Sequence, residues 1–394
     1  MAFFLFCLSI FIVFLQPTSI FPNLTPYQPL RNSAIIALIA YIFSRNKLQK
    51  PFLSNKVNLF FILFIIIQVL SACQLWLTGG WETFNLWLRI GIIYYLIVKS
   101  VTNIKRLIAI AIMIILGSTY LSYYSFVNFV IHYAPRMRVG GFGWYENAND
   151  LAFMLVGAIS LCLLVFNLIK NKILRLIFLI IALFFSYNVL FTASRNGLLG
   201  LLVVWSLSII LSKRVTISIK TLLIISLFIA VFVVGRGNVL SRSDLKGLRG
   251  DDSSESRITQ WKSALRMVIA KPILGVGPDE FGDNAENYGG IRSLAAHNTL
   301  IQVFAESGIL GGIFFFLMSF LPLYELRKMT KIIKSNNSKG SDSFIAYKFL
   351  SITLLGLWTC AFFSNRYHFY ILYVIIALMV AIKSNLIDKE LLNE

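Results

Sequence analysis

The chain reads as an all-α polytopic membrane protein with about twelve transmembrane helices and one large outer loop containing short amphipathic helices. Three observations predict this. The 394 residues are 58% hydrophobic and 14% aromatic, with a mean hydropathy of +0.77, which is outside the range of ordinary soluble domains. Apolar runs of roughly 20 residues recur along the whole length, enough for a helix to cross the hydrocarbon. Basic residues fall in alternate connections between those runs, as topology signals do.

In order, the spans are expected at roughly 2–20, 30–44, 57–74, 84–98, 107–129, 150–168, 174–191, 196–212, 220–235, 299–324, 345–363 and 367–382. The second and fourth are short. The start, Ala2-Phe3-Phe4-Leu5, lacks a cationic region and a small-x-small cleavage site, so it is taken as a retained first span. Three regions follow: 1–235 with about nine spans, a polar loop over 236–298, and 299–394 with the last spans and a tail.

The formal charge of +19 does not mark a nucleic-acid binder, because of where the cations fall. Arg45, Lys47, Lys50 and Lys56 share one connection, and Lys99, Lys105 and Arg106 share another. Lys170, Lys172 and Arg175 follow, then Lys213, Arg214 and Lys220, then Arg327, Lys328, Lys331, Lys334 and Lys339. The intervening turns, such as Leu77–Glu82, carry few or no lysines. The positive-inside rule then puts both termini in the cytoplasm and 236–298 outside, and the basic excess attracts anionic membrane lipids. Cys7, Cys73, Cys162 and Cys360 lie in or beside apolar runs without disulfide or metal spacing, as packing residues do.

Within the large loop, Asp251-Asp252-Ser253-Ser254-Glu255 suits the exposed amides of a helix start. Trp261, Leu265 and Val268 then recur at helical spacing. An amphipathic helix over about 254–270 is expected to lie on the outer membrane surface. Pro272 stops it, and Gly275-Val276-Gly277-Pro278 forces a turn.

The candidate chemistry sits in this loop and in smaller polar islands on the same side. His297, in Ala296-His297-Asn298, stands at a helix start. It is either a capping residue or a general base, and a helix N-terminus disfavours the charged imidazolium, leaving the ring able to accept a proton. Arg195 is either a snorkelling interfacial cation or an anion site strengthened by the free amides of the helix it opens. Arg89, several residues inside a span, must face protein or a wet cavity, either as a partner for Glu82 or as a ligand-binding group. Arg136 and Arg138 are either exposed loop charges or part of a site, since Gly140 and Gly141 beside Arg138 allow close backbone approach to a ligand. Asn147, Asn149 and Asp150 cap the next span. Glu306 either orients a polar network or pairs with a membrane arginine. Gly275-x-Gly277 lacks the lysine and strand context of a phosphate loop, and no metal or nucleotide motif is present, so no metal or cofactor is expected.

Taken in order, these pieces resemble the O-antigen ligase and polymerase superfamily. The match runs through Arg138-x-Gly140-Gly141-Phe142 and Asn147-x-Asn149, then Thr192-x-Ser194-Arg195-x-Gly197. It continues with Arg257-x-x-x-Trp261-x-x-Ala264 and Pro272-x-x-Gly275-x-Gly277-x-x-x-Phe281. It closes with Ala296-His297-Asn298 and Glu306-x-Gly308-x-x-Gly311, covering roughly 138–312. The resemblance implies a glycosyltransferase of the bacterial inner membrane, working on its periplasmic face without nucleotide or metal. Its donor would be an undecaprenyl-diphosphate-linked glycan and its acceptor lipid A-core or another glycan. By the same resemblance His297 is the general base, and Arg195 and Arg257 hold the donor diphosphate. Arg138 and Arg89 are added as further diphosphate candidates, with Asn298, Glu306 and Trp261 in support.

The motifs do not state the acceptor. The compact Arg257-to-His297 loop leans toward a ligase over a polymerase. A transporter or lipid flippase would spread charges through several spans and carry internal repeats; here the charges gather at one face and no repeat is evident. A non-enzymatic scaffold would leave the arginine and histidine constellation unexplained.

Overall fold

The computed structural model describes residues 1–44, 51–74, 80–131, 139–212, 216–226, 228–229, 254–335 and 341–388. Among them the regular structure is helical. The principal helices are α1 (Ala2–Leu15), α2 (Pro29–Phe43), α3 (Lys56–Cys73), α4 (Gly80–Ser100), α5 (Ile104–Ile131) and α6 (Ala148–Leu168). Next come α7 (Lys172–Phe191), α8 (Arg195–Leu211), α9 (Ile217–Ser226) and α10 (Ser254–Ala270). The chain closes with α11 (Thr299–Ser335), α12 (Asp342–Ala361) and α13 (Tyr370–Ile382), the last continued by a wider turn over Lys383–Ile387.

Seven of these, α3, α5, α6, α7, α11, α12 and α13 with its extension, are long and apolar enough to cross a membrane. The others predicted as spans differ for identifiable reasons. α1, α2 and α8 have 14, 15 and 17 residues, which at 1.5 Å per residue falls short of the roughly 30 Å hydrocarbon core. α4 is long, but its first turns carry Glu82, Asn85 and Arg89. The ninth predicted span is described only in its first part, as α9, and 230–253 lies outside the described residues. The last begins at Tyr370 rather than 367, which leaves 362–369 as an irregular turn outside the helices.

The centre of the bundle is α6, α12 and α13: 83%, 78% and 83% of their spans are buried, against 28% for α7. Small residues allow the close approach, for a Cβ on Gly200 of α8 would stand 2.4 Å from Cys360 Sγ of α12. Among the described residues, Lys56, Lys99, Lys328 and Lys383 gather at one end of the bundle. There Asn385 donates to Val98 O and Val101 O at 3.0 and 2.8 Å, and Lys383 pairs with Glu325. The opposite helix ends carry the polar islands.

Candidate active site

The described part of the polar loop, 254–298, is a small packed unit. α10 turns Gln260, Ser263, Ala264 and Met267 inward, and a second apolar cluster joins Ala264 and Met267 to Val276, Phe281, Ala285, Ala296 and Ala305. Leu265 does not share the buried side with Trp261 and Val268; it is 61% exposed. Inward polar groups of α10 clamp the segment ahead of His297. Gln260 donates to Ile291 O and Leu294 O at 3.0 and 2.6 Å and accepts from Ile291 N at 2.8 Å. Trp261 Nε1 donates to Ala296 O at 2.9 Å, fixing the peptide next to His297. His297 itself is half-buried with φ 52°, just before α11. Asn298, rather than the histidine, caps that helix, its Oδ1 accepting from Ile301 N at 3.1 Å.

α11 is broken near its start, with Gly308 at φ 71° and ψ −175°. The segment Pro272–Gly277 packs into the break and supplies the missing partners. Val276 N donates to Ala305 O at 3.0 Å and Gly277 N to Glu306 O at 3.1 Å, while Ile309 N donates to Pro272 O at 2.8 Å. The crossing leaves no room for side chains. A Cβ on Gly275 would stand 2.3 Å from Glu306 C, and one on Gly308 would stand 2.5 Å from Ile273 O. The two glycine motifs, far apart in sequence, are the two sides of one backbone crossing. Ser71, at the end of α3, donates to Leu274 O at 2.6 Å and anchors it.

Glu306, fully buried, joins a polar network instead of an arginine. Gln302 Nε2 donates to its Oε1 at 2.7 Å and the Tyr367 hydroxyl to its Oε2. Gln302 Oε1 also accepts from Ala296 N at 3.2 Å, so the network reaches the residue before His297.

The 362–369 turn ties the Arg195 region to the His297 region. Ser194 caps α8, its Oγ accepting from Gly197 N and donating to Asn149 Oδ1 at 2.8 Å. Asn196 donates to Phe363 O at 2.9 Å. Thr299 donates to Ser364 O at 2.6 Å and accepts from Arg366 N at 2.9 Å, and Arg366 pairs with Asp150 at 2.7 Å. Of the residues expected to cap α6, Asn147 does so, whereas Asn149 and Asp150 stand inside its first turn and bind these neighbours. Arg195 is exposed at the first position of α8. Arg257 is half-buried, and its Nε is shielded from solvent with no hydrogen-bond partner among the described residues. Such a donor is costly unless something accepts from it. Arg138 lies outside the described residues.

Arg89 stands apart from these arginines, facing a cavity of about 510 Å3 together with Trp144, Asp279, Glu280 and His368. Its Nε donates to Asn85 O at 3.1 Å, and it has no ion pair with Glu82. Asp279 and His368 form an unanticipated pair, Nε2 to Oδ1 2.9 Å apart. Burial alone would push the imidazole pKa down, but Asp279 and Glu306 together carry it above 6.5. The Asp279 side chain is largely exposed; crowding by the cavity wall pushes its carboxyl up, and His368 outweighs this to hold the group below 3.8. Asp279 has φ 62°, beside Gly277 at φ 116°. The sequence held one signal for this pair: a histidine in a short polar island opposite a Gly-Pro-Asp turn.

A family model described as O-antigen ligase matches residues 180–316. That stretch contains Arg195, Arg257, Trp261, His297, Asn298 and Glu306, the glycine crossing and α10. Arg89, Arg138 and His368 fall outside it. A search of curated proteins found no match. The family match supports the resemblance to the O-antigen ligase and polymerase superfamily, and with it a multi-pass membrane enzyme of glycosyltransferase type.

Proposed function

We propose that the chain is an inverting, metal-independent glycosyltransferase of the bacterial inner membrane, most simply an O-antigen ligase. It moves a glycan from an undecaprenyl-diphosphate carrier onto a hydroxyl of lipid A-core. Both termini face the cytoplasm and the His297 end faces the periplasm, as the alternating basic connections suggest. The observation that carries this reading is the built presentation of His297. Its peptide is clamped by Trp261, its helix is capped by Asn298, and its approach is tied through Gln302 to buried Glu306, all inside the matched stretch.

The chemistry follows from charge. His297 takes the proton of the acceptor hydroxyl as that oxygen attacks the anomeric carbon, and the carbon–oxygen bond to the diphosphate breaks. The electron pair leaves on the lipid diphosphate, and because the attack comes from the opposite face, the anomeric configuration inverts. Arg195 and Arg257 hold the diphosphate; arginine stays charged and grips phosphate through paired N–H groups, and Arg257 Nε is a buried donor with no partner among the described residues. Charge stabilisation of this kind suffices for a leaving group that needs no protonation. Asn298, Glu306 and Trp261 position the base.

The same matched family supports a second reading, a polymerase that extends a carrier-linked repeat. Membranes containing the protein are given a lipid-diphosphate-linked donor with either lipid A-core or a second carrier-linked repeat. One discrete addition to lipid A-core is expected, and a ladder on the carrier would assign a polymerase instead. No product with either acceptor, from protein shown to be folded, would reject both and revive a transporter.

A further inference from the structure

Two cavities meet at the His297 end of the bundle, of about 510 and 470 Å3, and share Glu82, Arg89 and Trp144. Each is of a size that holds small organic ligands. The first is walled by the Pro278–Glu280 segment and by His368, both attached to the candidate active site. The second extends away along the start of α4 and the hydroxyls and amides of Thr18, Ser19 and Gln28.

Trp144 is presented rigidly between them. Its ring stacks on buried Tyr370, centroids 5.1 Å apart and planes 8° apart. Its backbone N–H donates to Gln16 Oε1 at 3.0 Å, next to Gly143 at φ 56°, where a Cβ would meet Gln16 and Ser19. Yet 37% of the residue remains exposed, and Trp81, on the second cavity, is 54% exposed. An indole offers a flat, electron-rich face and one N–H; the Arg89 guanidinium already stands 6.0 Å from this ring's centroid, so a sugar on the exposed part of the face lies against both. A lipid chain would favour apolar walls, but Glu82, Asn85, Asp279 and Glu280 face these cavities. A diphosphate would require excess positive charge; here Glu82, Asp279 and Glu280 offset Arg31, Arg89 and His368. A pyranose ring fits both demands: its C–H face carries partial positive charge suited to an indole, and its hydroxyls pair with carboxylates, amides and guanidinium.

We propose that this double cavity is a sugar-binding groove that holds the glycan beside the reacting carbon, with Trp144 as its stacking platform and Glu82, Asn85 and Arg89 as hydroxyl partners. The glycan's identity as ligand rests on the transfer reading above. The groove takes Arg89 from the diphosphate and gives it to the sugars.

The test is a saturation-transfer NMR titration of the full chain in lipid nanodiscs. The probe is the phosphate-free oligosaccharide released by mild acid from the lipid-linked glycan of the producing cells. The wild type is expected to bind it, and Trp144→Ala to bind about tenfold more weakly. Trp144→Phe keeps a ring on Tyr370 and stays within about threefold of wild type. Glu82→Gln with Asn85→Ala, on the exposed wall, weakens binding without touching that stack and serves if Trp144→Ala fails to fold. Absence of binding to the wild type, or undiminished binding in folded Trp144→Ala or Glu82→Gln/Asn85→Ala, overturns the groove. Transfer is measured in parallel. Binding without transfer leaves the groove standing and removes the transferase reading, while transfer without binding does the reverse.

Discussion

The two ends of the helix bundle are built differently. At the basic end the helices start on ordinary caps: Asn55 accepts from Val57 N at 2.9 Å, Asn103 from Arg106 N at 2.9 Å and Asn171 from Ile173 N at 2.9 Å. At the other end lie all the left-handed backbone positions among the described residues. Gln16, Gln28, Ala193, Asp279, Ser293 and His297 are there, with Gly143, Gly275, Gly277, Gly289 and Gly308. Such conformations cost about 1–3 kcal/mol each for non-glycine residues and persist only where surroundings fix them. Here the fixing groups are identifiable: Trp261 and Gln260 for the His297 segment, His368 for Asp279, Glu306 and Ser71 for the glycine crossing. One end conforms to local preference; the other spends packing and hydrogen bonds on holding particular groups in place. The contrast points to the second end as the working one.

Several perturbations would break or sharpen this contrast. After removal of His297 itself, the largest effects belong to the arginines: Arg257→Ala and Arg195→Ala are each expected to lower transfer about 10²–10³-fold in a membrane assay, with lysine restoring little because the paired N–H geometry is lost. Undiminished transfer in both would remove the diphosphate assignment. Gly275→Ala should come next, because a Cβ there meets the Glu306 backbone; a loss of more than about 2 kcal/mol is expected in chemical unfolding. At the basic end, Asn55→Ala is expected to cost about 1 kcal/mol as a lost cap while transfer per folded molecule stays at the wild-type rate.

The smallest effect is the pH dependence of the Asp279–His368 pair. Asp279 is held below 3.8, so its contribution is present above that pH and fades as pH falls through the lowered value. His368 is raised above 6.5, so its contribution is full below 6.5 and fades as pH climbs through the raised value. The pair is therefore strongest between about pH 4 and 6.5. Because Asp279 is 66% exposed, screening limits the effect to about 1 kcal/mol or less. Melting temperature against pH should lose this maximum in Asp279→Asn.

Much of this architecture is legible in the sequence, but unevenly. Helix positions follow from apolar runs, and the Asn147 cap of α6 from a residue type that accepts from free amides, whereas the cap ahead of α11 fell to Asn298 and not to His297. The inner face of α10 was harder to read. Gln260 and Ser263 face inward because loop carbonyls meet them there, and hydrophobic periodicity cannot register a buried polar partner. The glycine crossing was visible only as two separate motifs, since a contact between Gly275 and Glu306 depends on the break in α11. Asp279 with His368 and Asp150 with Arg366 are long-range ion pairs, for which a single sequence offers no spacing rule.

The central claim is that His297, held at the strained end, removes the acceptor proton during glycan transfer. The most direct measurement compares wild type, His297→Ala and His297→Gln in membranes, with a lipid-diphosphate-linked donor and lipid A-core, at matched amounts of folded protein. The predicted result is a single addition product in the wild type and a loss of about 10²–10⁴-fold in both variants. Transfer at the wild-type rate in either variant would contradict the account.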